Sequence, residues 1–258
     1  MNKKGQVTIF IIIGVILISA IFLFFVFKEE RIKETISKIE KNPESFLEYC
    51  LNDKIREAID IIALRGGYPN NVLYKHFEFE EEGIFVNVSY LCYNQNSYLP
   101  CINQKPTFME DLRYEIKDYI FDDVQGCFDD MTSNFNKLGY DTNIIYDDFY
   151  VKILPKRVII QTESESTLTR SEETATEEDF KVEVVSRLYE LSFIVQELVN
   201  QEARFCYAEH TGISLIYPMF NIEKFRTGDS DNIYTVEHDD SKEKFRFVVK
   251  GCVIPPGI

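Results

Sequence analysis

From Val7 to Phe27 the chain runs 21 residues without a charge. At about 1.5 Å per residue that is a helix of about 31 Å, which matches a hydrocarbon core of ~30 Å. The run is long enough to cross a membrane. A cleavable secretory signal has an apolar stretch of only ~7–15 residues followed by a small-x-small site, whereas here the run passes directly into Lys28-Glu29-Glu30-Arg31. The segment 7–27 therefore reads as a retained transmembrane helix, with 1–6 as a cytoplasmic tail or leader. A buried helix of a soluble core is the competing reading, and it fits poorly because such helices rarely lack a polar face.

The remaining residues suffice for one large or two small domains. Setting aside Lys3, Lys4 and Lys28 leaves 25 basic residues against 43 acidic ones, a net charge near −18. Such a domain has no basic surface with which to replace phosphate counterions, so nucleic acid is excluded as a partner, and an anionic lipid surface repels it. Lysines flank the span on both sides and do not orient it. The cysteines do. Cys50, Cys92, Cys101, Cys127, Cys206 and Cys252 all follow the span, are even in number and contain no CxxC pair, which reads as three disulfides in an oxidising compartment. Residues 29–258 are placed outside the cytoplasm, on a single-pass protein of the cell membrane. Asn87-Val88-Ser89 is an N-x-S sequon, making Asn87 a glycosylation candidate.

Ile32, Ile36 and Ile39 continue a helical stripe out of the bilayer as a stalk, 28–41. Asn42 caps a new helix with Pro43 at its first position; its apolar face is Leu47, Leu51, Ile55, Ala58, Ile59 and Ile62, and it stops at Gly66-Gly67. Strands are expected at 72–79 and 83–92. Cys92 and Cys101 enclose a polar, turn-rich stretch and are expected to pair. Thr107-Phe108-Met109-Glu110 has the form of a capping box. Behind it apolar residues recur at steps of three and four from Phe108 to Leu138, with Gly126 as the place for a kink. The Cys-led segments 50–68 and 127–140 both finish in Gly-Tyr, and pairing Cys50 with Cys127 would pin the two helices together. A hairpin is expected over 142–170 turning at Pro155-Lys156-Arg157. A mobile acidic loop, SEETATEED, should follow, then a strand at 180–185, a helix from Leu188 to about Phe205, and a last hairpin, 233–238 with 245–254. Cys206 and Cys252 remain for the third bridge. Hairpins and segregated helices without regular strand-helix alternation give an α+β domain over 42–258 with three or four helices and a possible subdivision near 140.

Catalytic and cofactor signatures are lacking: there is no HExxH, G-x-S-x-G, P-loop or G-x-G-x-x-G, and His76, His210 and His238 are scattered. Acidic doublets at 122–123, 129–130, 147–148 and 239–240 read as solvated surface. Gly228-Asp229-Ser230-Asp231-Asn232 resembles the start of a calcium loop, but Asp240 stands where the distal glutamate belongs. Asp229 and Asp231 are the candidate ligands, with a plain turn as the alternative. Most Phe fall on the span or on core faces, so no aromatic ligand platform is expected.

The stretch KKGQVTIF at the start of the apolar helix resembles the class III leader of archaeal type IV pilins and archaellins. The resemblance implies cleavage by a prepilin peptidase between Gly5 and Gln6. Pilin-type subunits typically carry a glutamate five residues into the mature chain, where Phe10 stands here. A new amino-terminal charge in a filament core would lack its partner, which points to a minor pilin-like subunit or a plain anchor. The soluble part is similar to uncharacterised single-pass archaeal surface proteins. The expectation is a membrane-anchored interaction or structural protein that meets a protein partner or itself, is not an enzyme and has no cofactor. The alternative is an extracytoplasmic enzyme or solute-binding domain.

Overall fold

The computed structural model describes residues 17, 42–70, 72–80 and 82–252. The stalk, the processing pair Gly5 and Gln6, and all of the expected span but Leu17 lie outside the described residues. Among the described residues no helix is long and apolar enough to cross a membrane. The residues on both sides of 140 belong to one compact unit, Leu47–Ile258.

Helix α1 (Pro43–Leu64) starts at Asn42, whose Oδ1 accepts the Ser45 N–H at 2.8 Å and so satisfies one of the free amides of the first turn. All six residues of its expected apolar face are buried. It ends in a Schellman turn: Gly67 N–H donates to the Ile62 carbonyl and Gly66 N–H to that of Ala63. Gly66 has φ 79°, and a Cβ there would meet Ser89 and the Arg246 carbonyl.

Strands β1 (Tyr74–Phe79) and β2 (Ile84–Tyr93) form an antiparallel hairpin running from Tyr74↔Ser89 to Phe79↔Ile84. The short β3 (Ile102–Asn103) returns beside β2 across the Cys92–Cys101 loop. Helices α2 (Phe108–Tyr119) and α3 (Phe121–Lys137) occupy the long periodic stretch. The expected capping box does not form: Thr107 makes no side-chain cap, and Glu110 is bound by Arg113 one turn on, a charge-assisted bond that outcompetes a backbone amide. The helix breaks at Ile120 (φ −98°, ψ 5°) rather than at Gly126, which is exposed on α3 with open space around it.

Strands β4 (Asp141–Leu154) and β5 (Arg157–Arg170) pair along their whole length through a two-residue turn, in which Lys156 takes φ 67°. The expected mobile loop is instead a strand, β6 (Glu173–Glu178). β5 extends far enough for Thr169 to face Thr174 and Thr167 to face Thr176, and β-branched residues suit that pairing in spite of the acidic charge. Strand β7 (Lys181–Val185) takes the rest of the same edge of β5. Helix α4 (Leu188–Phe205) runs as expected. The sequence reading missed both α5 (His210–Ile216) and strand β8 (Phe220–Arg226). The last hairpin is β9 (Asp231–His238) with β10 (Lys244–Lys250).

The larger sheet has the order β1-β2-β10-β9-β8, with β3 beside β2; the smaller is β4-β5-β6, with β7 also on β5. Among the described residues all pairings are antiparallel but one, β2 with β10, which is parallel and joins two distant hairpins. Helix α4 touches strands of both sheets. The architecture is α+β, with five helices among the described residues. Three disulfides staple it: Cys50–Cys127 joins α1 to α3, Cys92–Cys101 closes the β2–β3 loop, and Cys206–Cys252 ties the end of α4 to the residues after β10.

Candidate binding groove

Side chains of β10 alternate between two environments. Phe245, Phe247 and Val249 are fully buried on the helix side, where Phe245 meets Phe108 of α2 edge-on at 5.6 Å. On the other face Val248 packs with Val88 and Ile233 in a small second core, against which Phe77, Phe79, Val86 and Tyr90 lean. Phe77 on β1 and Phe225 on β8 stand at opposite ends of the five-strand path, yet their ring centroids are 5.2 Å apart. Four steps of strand spacing would separate those edges by roughly 19 Å in a flat sheet, so the sheet is curled and its second face is concave.

The concavity holds a groove of about 600 Å³, lined by Phe77, Phe79, Phe225, Ile233, Lys244 and Arg246 and rimmed by Glu78, Glu80, Glu82, Glu223 and Glu237. Arg246 forms its floor and is only 2% exposed. Its guanidinium lies 3.6 Å from the centroid of the Phe79 ring, and Nη2 donates to Glu82 Oε1 at 2.5 Å. Nε and Nη1 are buried with no hydrogen-bond partner among the described residues. Lys244 Nζ donates to the same Glu82 oxygen at 2.6 Å and lies 3.3 Å from Glu237 Oε2. Arg246 first, and Lys244 after it, hold the Glu82 carboxyl below its usual range, while the bond to Glu82 raises Lys244. Burial pushes Glu237 up, but Lys242 and Lys244 outweigh it and its net shift is downward. The groove therefore combines aromatic walls, an internally neutralised charge chain, a negative rim and two unpaired donors.

The sequence had placed these phenylalanines on the span or on core faces and had not singled out Arg246. The signal was there in KFRFVVK, where cationic and aromatic residues alternate with the period of a strand carrying one charged face.

At the end of the same sheet lie the candidate calcium ligands Asp229 and Asp231, and both are engaged by side chains of the chain itself. Asp231, 1% exposed at its side chain, receives Lys75 Nζ and Lys250 Nζ, each at 3.0 Å, and Tyr90 Oη at 2.8 Å. Asp229 is bound by Lys75 and Thr227; the Lys75 bond above all holds its carboxyl well below the usual carboxylate range. Ammonium groups occupy the lone pairs a cation would need, and among the described residues no three His, Cys, Asp or Glu side chains gather to hold a metal. Asn87 is exposed on β2, with Oδ1 2.7 Å from His76 Nδ1, while the Ser89 of its sequon is buried and donates to the Arg65 carbonyl at 2.7 Å.

The helix side of the sheet buries a second ionic group. Glu202 of α4 is 1% exposed, and its Oε1 accepts from Lys224 Nζ at 2.9 Å, from Asn232 Nδ2 at 3.3 Å and from the Tyr234 hydroxyl. Burial, the Glu202 charge and that hydrogen bond drive the Tyr234 phenol far above its ordinary value.

Compared with protein-family models, curated proteins and solved structures, the chain matches none.

Proposed function

We propose that this chain is a membrane-anchored, extracytoplasmic interaction protein of the cell surface, and that the concave face of its larger sheet is the surface it binds with. The observation that carries this reading is Arg246. A guanidinium buried with Nε and Nη1 unpaired costs stability, and such a cost is expected where binding, rather than folding, is served. The aromatic walls offer anchors of the kind that dominate recognition. The outer edges of β1 and β8, which carry no strand partner among the described residues, offer backbone groups to an extended segment. The acidic rim favours a partner with basic residues. Three disulfides support placement in an oxidising compartment. On this reading the apolar run at 7–27 is the anchor, and processing between Gly5 and Gln6 by a prepilin peptidase would make the chain a minor pilin-like subunit. A groove of about 600 Å³ also has the size of a small-molecule site, which keeps a solute-binding domain as the second reading.

A photo-reactive side chain placed at Phe225 in the full chain, in its native membrane, tests the proposal. The expected result is a discrete covalent adduct with a protein, lost when Phe77→Glu is added and absent when the probe sits at Glu172 in the β5–β6 turn. Adducts of equal yield from both probe positions would overturn it.

A further inference from the structure

Glu202 and Asn232 lie outside the groove, Lys224 borders it, and the arrangement of the three is chemically unusual. Two nitrogens of different character, an amine and a primary amide, sit on one oxygen of one buried carboxylate. Lys224 Nζ lies 5.1 Å from the centroid of the Tyr234 ring and 5.4 Å from that of Tyr207, and the lysine side chain is 16% exposed. Asn232 is 6% exposed, and its Oδ1 is buried without a hydrogen-bond partner among the described residues. Lys224 pairs with Tyr234 across β8 and β9, and Asn232 is two residues before Tyr234, a diagonal neighbour within reach of a long side chain.

We propose that Lys224 and Asn232 condense into an intramolecular isopeptide bond, with Glu202 as the proton carrier. In this reaction a proton passes from the Lys224 ammonium to Glu202 along their 2.9 Å hydrogen bond, leaving a neutral amine and a carboxylic acid. A half-turn of the Asn232 amide brings the unpaired Oδ1 to that acid, which donates to it and polarises the carbonyl. The Lys224 nitrogen attacks Cγ, the new N–C bond forms, and the Cγ–Nδ2 bond breaks. Glu202 moves the proton lost by Nζ onto the departing Nδ2. One amine and one primary amide become one secondary amide and one ammonia, with no oxidant, reductant or cofactor. Holding both reacting groups on one oxygen supplies the proximity, and the dry surroundings suppress hydrolysis of the side-chain amide to aspartate. The cluster of Lys75, Lys250 and Asp231 is not equivalent: there two ammonium groups share one carboxylate, and no further buried acid stands by to carry the proton. The bond would lock β8, the outermost strand of the sheet, to β9 in a way that reductants do not undo.

The test is the mass of the purified full chain after complete reduction and unfolding. The expected mass is lower than that of the sequence by one ammonia, trypsin fails to cut after Lys224, and the peptide 205–226 is found joined to 227–242. Cyclisation of an amino-terminal Gln6 releases the same mass, so the joined peptide decides. Separate peptides with full cleavage after Lys224 overturn the proposal. Glu202→Gln is expected to leave the two residues unlinked, and wild-type extent of linkage in that variant would remove Glu202 from the reaction. Lys224→Arg keeps a cation on Glu202 but has no competent nucleophile; it is expected to retain the full mass and to fold, and ammonia loss from 227–242 in that variant would overturn the pairing.

Discussion

Removing the three disulfides one pair at a time should cost stability in the order of the loops they close. The bridges span sequence separations of 77, 46 and 9 residues for Cys50–Cys127, Cys206–Cys252 and Cys92–Cys101. Loop-closure entropy then assigns about 4.5, 4.0 and 2.6 kcal/mol to them at room temperature. Each pair is replaced by alanine, so that every variant loses two sulfurs and the packing losses are similar. The assay is urea unfolding of the oxidised full chain in detergent, followed by tyrosine fluorescence because the chain has no tryptophan, with the midpoint and slope giving the free energy. Against a typical total of about 5–15 kcal/mol, the Cys50→Ala, Cys127→Ala variant should sit close to its unfolding threshold, while the Cys92→Ala, Cys101→Ala variant stays folded. A larger loss from the Cys92–Cys101 pair than from the Cys50–Cys127 pair would refute the entropic argument and move the weight to native-state packing around Cys92.

Arg246→Met should leave stability within about 1 kcal/mol of the wild type, because an apolar chain of similar reach relieves two unpaired donors, and it should abolish groove binding in the photo-adduct assay; Glu82→Gln, which leaves the guanidinium uncompensated, should cost about 2 kcal/mol in the same urea titration. The Glu82 carboxyl is lowered in the fold, so its contribution is fully present above pH 4.5 and is lost as the pH falls through the native value; acid unfolding of Glu82→Gln should therefore be less steep below pH 4.5. Tyr146 is pushed up to about 12, mainly by burial and secondarily by Asp148. Its stabilisation is present below the unfolded value near 10 and disappears as the pH rises towards 12, so Tyr146→Phe should flatten the alkaline loss of stability seen by circular dichroism. The amino-terminal mass of the chain from its native membrane should begin at Gln6 if a prepilin peptidase acts on it; a chain beginning at Met1 or Asn2 makes the apolar run a plain anchor.

Helices were legible where one apolar face repeats, as from Leu47 to Ile62 and from Leu188 to Val199, because burial of that face is what holds them. The three cysteine pairings are those expected: Cys92–Cys101 from spacing, Cys50–Cys127 from the likeness of two Cys-led helical segments, and Cys206–Cys252 by elimination. Local chemistry misled in two places. The box at Thr107 lost its glutamate to Arg113, and the acidic stretch after Arg170 became strand β6 because β5 was already there to pair with it. The segment between α4 and β9 carries only one buried residue in α5, Ile213, too little for periodicity to show. The groove was illegible for a topological reason. Phe77, Phe225 and Arg246 come from three strands that meet only through the parallel pairing of β2 with β10 and the curl of the sheet, neither of which leaves a local mark in the sequence.

That parallel pairing also sets a timetable for assembly. Tyr90 takes its place opposite Val248, so the centre of the larger sheet must wait for nearly the whole domain to be synthesised. An emerging chain can form α1 and the β1–β2 hairpin early, but one side of β2 stays open until β10 arrives. Long-range closures of this kind are slow and leave strand edges exposed meanwhile. On the proposed membrane-anchored reading, with the amino-terminal run inserted first, the domain would cross the membrane before it can close, and its last strand would complete the fold on the far side.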